Sequence, residues 1–587
     1  MDKGQEGTLY AFGSNGNGQL GIASDDDTST PQPAQFSTNF NTTINNSFSS
    51  SLDNNSVKDS KTRPHVHAVT PFYDFAAGGN HTALITHGNR QLFMTGSNKD
   101  GETLLREPSQ VFKLAEISER LQPQQQQQQH QLNKDQGQDQ ENSSANSAGG
   151  VQWRSVACGW AFTIGLTEPY PAPDCRDTIA ISCDSNNNNN NQTVYAWGSG
   201  SFGELGLGPG RSKTGGQAIA ITTGLLNTSP TSTTRYNTRY EFIKVRAGLR
   251  HVLLLAKETR ISDEQGIAGE ATARTVLMGW GSNRQGQLGV LTRSDGDLTI
   301  PLTEKELRAK FMEPTRIMIS ITARRDSMAD TALGTENDHC KDSEILDMAC
   351  GQNHSLVLFS NGAVYSSGLD KYGQLGPRAT TSVENTKNEK GDMEKSKKVD
   401  FRIGFEQVAG LPFVDSISCG WNHNAAMDTR PLVGDPTAMT IIYLWGRNDH
   451  GQLGGGLHCR AVAIGLNGGM EDVPAGIVQV RISPVRRKGG CGEEEDSKSK
   501  EGLEFEQLVS YSCGSEHTLA MTRSGNCYAW GWNEHGNCGG GVDSSGNKEL
   551  QDVPTPRIVQ FPTQLNSSSG GHSGWVTGGY GSSWVWT

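Results

Sequence analysis

The sequence predicts an all-β chain folded as a seven-bladed β-propeller. Two motifs predict it, because they alternate strictly along the chain and each occurs seven times. A third observation agrees: the chain opens and closes with complementary halves of one repeating unit.

The first motif is an aromatic residue and a glycine followed by a Gly-Gln-Leu-Gly turn. It opens the chain at Tyr10-Ala-Phe-Gly13 with Gly18-Gln-Leu-Gly21. A worn copy lies at Leu92 to Asn98, and a full one at Tyr195-Ala-Trp-Gly198 with Gly203-Glu-Leu-Gly206. Further copies surround Gly281, Gly368 and Gly446, and the last is Tyr528-Ala-Trp-Gly531 with Gly536-Asn-Cys-Gly539. The second motif is a small residue, a glycine, two variable positions and a histidine. Copies end at His81, His251, His354, His423 and His517, with Phe162 and Ser582 at the same place in the other two.

Each second motif leads into an apolar, β-rich run such as Ser355 to Phe359 or Thr518 to Met521. Ser360-Asn-Gly362 and Ser524-Gly525 then supply hairpin turns, since Asn and Gly tolerate positive φ. The constant unit is therefore a hairpin from the histidine motif to the aromatic-glycine motif. Four strands per unit, set radially, make a propeller. Leu9 to Gly13 is the second half of such a hairpin, and Gly579 to Trp586 the first. Pairing these terminal strands closes the ring and leaves no free edge there. The repeat glycines Gly13, Gly198, Gly281, Gly368, Gly446 and Gly531 and the five repeat histidines are expected to be structural. For the histidines, a bond to backbone within the same blade is expected.

As a set, these fourteen half-motifs resemble the regulator of chromosome condensation family, and the resemblance covers the chain outside its insertions. It implies a seven-bladed propeller working as a binding scaffold, not an enzyme.

The composition fits a diluted core: 34% hydrophobic residues and 71 Gly in 587 residues. The formal charge of −12 weighs against direct nucleic-acid binding, which wants a basic face. Arg486 to Lys488 reads as a solvated loop. No run of about 18 apolar residues is present, so no membrane span is expected. Met1 to Gly7 lacks a signal-peptide pattern. The 11 cysteines form no Cys-x-x-Cys pair and are expected to be reduced thiols.

One propeller domain is expected over 1–587, with disordered polar insertions at 24–70, 105–150, 168–192, 291–344, 378–400, 457–503 and 542–574. Gln124 to Gln129 and Asn186 to Asn191 are homopolymer runs that cannot offset their ordering entropy by burial. Because the surplus recurs mostly after the Gly-Gln-Leu-Gly turn, it is expected to cluster on one rim and leave the other face freer.

No metal or cofactor is expected. One His per blade spreads the rings too far apart for zinc. Gly16 to Gly21 and Gly198 to Gly203 match Gly-x-Gly-x-x-Gly, but both are copies of the propeller turn without a following helix. Gly208 to Thr214 lacks the glycine before lysine that a phosphate loop needs. Cys158, Cys350, Cys419 and Cys513 share one repeat position and read as small core residues. Trp532, Asn533, Glu534, His535 and Asn537 sit in the last tip, where the repeat is free to vary, and are the candidate partner-binding residues.

The opening Tyr10 to Gly21 and Trp530 to Gly539 are similar to a fungal branch of that family, the α-tubulin suppressors. That resemblance implies a regulatory subunit, cytoplasmic and nuclear, that docks a small zinc-ribbon electron carrier. Such a carrier serves Elongator-dependent modification of tRNA wobble uridine and diphthamide synthesis. Two alternatives stand beside it: an exchange factor for the small GTPase Ran, and a generic propeller adaptor.

Overall fold

The computed structural model describes residues 7–37, 72–117, 151–169, 192–221, 236–262, 271–295, 298–319, 343–378, 400–430, 440–456, 476–482, 506–540, 550–562 and 574–587. It is a seven-bladed propeller, and every blade is an antiparallel sheet of four strands or more. Blade 1 joins the two ends of the chain: β1 (Leu9–Gly13) and β2 (Thr28–Pro33) with β29 (Trp575–Gly578) and β30 (Ser582–Trp586). Leu9 lies opposite Trp586 and Gly13 opposite Ser582, so the termini close the ring as the sequence predicts.

Blade 2 is β3 (Phe72–Ala77), β4 (His81–Thr86), β5 (Leu92–Gly96) and β6 (Ser109–Leu114). Blade 3 is β7 (Trp153–Cys158), β8 (Phe162–Thr167), β9 (Val194–Gly198) and β10 (Ile219–Ala220). The next three blades begin at β11 (Tyr236–Ala247), β17 (Ile345–Cys350) and β21 (Ser416–Cys419). Blade 7 is β25 (Leu508–Cys513), β26 (His517–Thr522), β27 (Cys527–Gly531) and β28 (Val553–Ile558).

Within a blade the strands differ because their surroundings differ. The second strand lies between neighbouring blades and is covered on both sides. Thus β4, β8 and β26 are buried along their whole length and read as apolar or small-polar runs. The outermost strand has one free edge, and it tolerates proline and polar side chains, as in β2 (TSTPQP) and β28 (VPTPRI).

That edge chemistry corrects the expected insertions. Outer strands β2, β6 and β28 fall inside 24–70, 105–150 and 542–574, and β24 (Ile477–Val480) falls inside 457–503. Residues 291–344 depart most. They contain most of β14 (Val290–Asp295), with β15 (Leu298–Pro301), a helical turn α1 (Glu304–Leu307) and β16 (Lys310–Met318). Blade 4 is thereby a six-stranded sheet. Its long hairpin β12 (His251–Ser262) and β13 (Ala271–Ser282) carries Glu258, whose buried carboxylate pairs with Arg274 at 2.7 Å and Arg316 at 2.8 Å. Burial pushes that carboxyl up, but the guanidiniums outweigh it and hold it at about 2. Within those seven ranges, residues 38–70, 118–150, 170–191, 296–297, 320–342, 379–399, 457–475, 483–503, 542–549 and 563–573, which include both homopolymer runs and Arg486 to Lys488, lie outside the described residues.

The one-rim expectation is also corrected. In an antiparallel blade, the first–second and third–fourth connections share one face; the second–third and inter-blade connections share the other. The undescribed stretches 38–71, 118–150, 170–191 and 483–505 leave from the latter face, whereas 379–399, 457–475 and 541–549 leave from the former.

Candidate functional site

The loops on the first face are built by repeated hydrogen bonds. An Asn or Asp after the aromatic-glycine motif accepts a backbone N–H five residues on: Asn15 from Leu20, Asn283 from Leu288, Asn448 from Leu453, Asn533 from Cys538. The Gln of the following turn accepts the N–H two residues back, as Gln287 does from Gln285. These bonds fix the loops on a rigid frame.

The histidines staple blade to blade. His81 Nε2 lies 2.8 Å from Thr163 Oγ1 of the next blade, and that hydroxyl donates to the Glu102 carbonyl in the histidine's own blade at 2.9 Å. His251 meets Ser355, His423 meets Thr518, and His517 meets Ser583 across the closing seam. His354 meets the Asn424 carboxamide oxygen at 2.7 Å. A hydroxyl that donates to a carbonyl accepts from the ring, so the network assigns the proton to Nε2. The expected backbone bond within one blade is thus replaced by a side-chain bond between blades. Burial drives His81, His251, His423 and His517 down to about 3 and His354 to about 4, so all five are neutral. Where Phe162 replaces the histidine, the facing residue is Val252, and the two share one apolar cluster.

The innermost strands surround a central cavity of about 140 Å³. Cys158, Cys350, Cys419 and Cys513 line its wall. Burial pushes the Cys158, Cys350 and Cys513 thiols up to about 12, which keeps them un-ionised and poor nucleophiles. Among the described residues no group of three His, Cys, Asp or Glu is placed to hold a metal, and no helix is long and apolar enough to cross a membrane.

Over the cavity mouth lies a feature the sequence reading missed. The first variable position of the histidine motif is Trp160 in blade 3, Trp421 in blade 6 and Tyr580 in blade 1. These three converge: Tyr580 is 6.1 Å from Trp160 and 5.5 Å from Trp421, ring centre to ring centre. They meet because the intervening loops carry Gly79 and Ser515; a Cβ at Gly79 would sit 3.0 Å from the Trp160 ring. Trp160 is 48% exposed, an unusual position for so large an apolar side chain. The available signal was a large aromatic in a loop position that other blades fill with Gly, Leu, Gln or Ser.

The expected tip residues divide around this strip. The Trp532 ring packs 3.4 Å from where a Gly581 side chain would start, beside Tyr580, and stands edge-on to His535 at 5.2 Å. His535 Nδ1 lies 2.6 Å from the Asp27 carboxylate across the closing seam. Glu534 is exposed. Asn533 and Asn537 are fully buried and cannot face a partner. Asn533 is the loop-capping residue described above, and the Asn537 carbonyl accepts from Ser583 at 2.7 Å. Both are structural residues, which corrects their expected role.

Beside the strip, blades 6, 7 and 1 present an arc of exposed carboxylates: Asp449, Glu534, Asp552, Asp25 and Asp26. Arg447, within the arc, is committed to Asp449 and Glu516. Burial pushes Asp449 up, but Arg447 outweighs it and holds the carboxyl below its usual range. Burial raises the Glu516 carboxyl, with Arg447 offsetting part of the effect. Across the same face, blades 2 to 5 expose Lys99, Arg211, Lys213, Arg284 and Lys371. Among the described residues, exposed carboxylates thus predominate in blades 6, 7 and 1, whereas blades 2 to 5 set these cations beside exposed Glu107, Glu304 and Asp400.

Comparison with known proteins places this geometry. Residues 6–44 and 191–255 match one family model, and 345–374 and 509–537 a second; both are described as the Regulator of chromosome condensation (RCC1) repeat. The mouse (Mus musculus) Secretion-regulating guanine nucleotide exchange factor is 26% identical over 416 residues, 69% of this chain and 60% of the relative. The chain thus spans about three fifths of that relative's length. The Ultraviolet-B receptor UVR8 of Arabidopsis thaliana is 25% identical over 473 residues, 73% of this chain and 83% of the receptor. Prp20p from Saccharomyces cerevisiae shares the fold with a TM-score of 0.50 at 16% identity, covering 100% of this chain and 92% of that one.

Proposed function

Since this chain carries regulator of chromosome condensation repeats on a closed seven-bladed ring, we propose that it is a non-catalytic docking ring for a protein partner. The observation that carries this reading is the aromatic strip in which the exposed Trp160 ring meets the half-buried Tyr580 and Trp421, continued by the half-buried Trp532, on loops fixed by the hydrogen bonds beneath them. Large aromatics fixed on a frame are the usual anchors of protein interfaces. The repeated histidines are neutral, buried and committed to inter-blade bonds, and the channel cysteines, Cys350 and Cys419 half-buried among them, are held un-ionised. That supports binding over covalent chemistry.

The partner implied by the α-tubulin suppressor resemblance is a small zinc-ribbon electron carrier, which would tie the ring to wobble-uridine modification and diphthamide synthesis in cytoplasm and nucleus. A second reading has its own support: the mouse relative is named a guanine nucleotide exchange factor, which favours a small GTPase such as Ran on the same face. Purified protein is to be titrated with each candidate by calorimetry, with nucleotide release from the GTPase followed in parallel. The zinc-ribbon reading predicts binding of the carrier and no acceleration of release. Accelerated release without carrier binding would replace it by the exchange-factor reading. Binding of neither would leave the generic adaptor.

A further inference from the structure

Building on the docking reading, we propose that the aromatic strip is a receptor for cationic side chains, and that its occupant is a basic, Arg- or Lys-containing segment of a partner protein. Two independent features of the face point there.

The first is which aromatics already have a cation. Arg250 lies over the Phe202 ring at 4.1 Å, Lys371 over Tyr372 at 5.1 Å, and Arg447 over Tyr372 at 5.0 Å. These rings stand on the same face, in blades 3 and 5, and the chain supplies their partners itself. Among the described residues no cation lies over Trp160, Trp421, Trp532 or Tyr580. Ring faces of this kind attract a guanidinium or ammonium, and tryptophan does so best.

The second is the acidic arc. It borders the strip where Trp532 joins Tyr580, and Arg447 within it is held by the Asp449 and Glu516 carboxylates. A basic segment would therefore meet an attractive field on approach and, at contact, the exposed Trp160 ring and the outer edges of its half-buried neighbours. An acidic segment would be repelled by the same arc. Toward blades 2 to 5 the exposed charge is mixed, with Lys99, Arg211 and Arg284 beside Glu107, Glu304 and Asp400, so the attraction is concentrated on the acidic arc.

The test uses the full chain and two labelled peptides, one of repeated Arg-Gly units and one of repeated Glu-Gly units, followed by fluorescence anisotropy. The Arg-Gly peptide is expected to bind. The double reversal Asp25→Lys/Glu534→Lys should weaken it about tenfold at ~0.15 M salt, and Trp160→Ala by a comparable factor. Trp160→Phe should recover part of that loss. The reversal Lys99→Glu/Arg284→Glu on the far half should not weaken it. Thermal melting of every variant separates lost binding from lost fold. Preference for the Glu-Gly peptide, no binding of either, or Arg-Gly binding indifferent to the acidic reversal would overturn the proposal. The docking reading fails differently, when capture of a whole partner is unchanged by loss of Trp160 and Trp532.

Discussion

At the scale of single residues, the aromatic-glycine motif is a backbone requirement. Gly531 has φ of +110°, and a Cβ there would lie 2.5 Å from the Glu516 carbonyl oxygen and 2.7 Å from the His517 Cα. Neither conformation nor space admits a side chain. Gly531→Val is therefore expected to cost more than about 3 kcal/mol and to lower the melting temperature sharply. Gly16 has nothing within 4 Å of its would-be Cβ, so Gly16→Ala should change stability by less than about 0.5 kcal/mol. Asn533 supplies a sharper test of role. Its buried carboxamide caps the Cys538 N–H, so Asn533→Ala should destabilise by about 1–3 kcal/mol. Trp532→Ala should instead spare the fold and weaken the partner. The sequence identified the variable tip but not which side chains turn outward. Asn533 and Asn537 look like surface residues by type, and only the loop's hydrogen bonds pull them inside.

At the scale of elements, the blade interface is the unit that repeats. The histidine–hydroxyl staple spans two blades, far apart in sequence, so no local pattern revealed its partner: His251 and Ser355 are 104 positions apart. The chain itself contains the apolar alternative in Phe162 and Val252. Ser355→Val leaves the His251 N–H buried without an acceptor and should cost about 2–3 kcal/mol, whereas His251→Phe/Ser355→Val should cost less than the sum of its parts by about 1 kcal/mol. Urea unfolding of the four-membered cycle measures this. Acid tests the same staples. Each ring titrates near 6.5 when unfolded but at about 3 to 4 when folded, so below pH 6.5 the unfolded chain binds more protons and stability falls. The loss approaches about 1.4 kcal/mol per pH unit for each ring and stops growing at the folded value. Melting temperature should hold above pH 7 and drop steeply from pH 6 toward 4, and less steeply in His251→Phe/Ser355→Val. Strand identity was legible where strands are covered on both sides. It was hidden in the outer strands, whose prolines and polar residues merge into the surrounding polar stretches.

At the scale of the whole molecule, the ring was the most legible feature, because seven copies of two motifs leave little freedom and the terminal half-hairpins specify closure. The docking face was not. Trp160, Trp421 and Tyr580 are 261 and 159 positions apart in sequence (160 to 421, then 421 to 580), and they meet only because closure brings blades 1, 3 and 6 around one channel mouth. A function placed there belongs to the assembled ring and to no single repeat. The most direct measurement is affinity capture by the tagged protein and by a Trp160→Ala/Trp532→Ala variant of matched melting temperature, quantified by mass spectrometry. The account predicts that the main partner recovered with the native chain drops about tenfold with the variant. Equal recovery by a variant that remains folded would contradict it and move the docking site off this face.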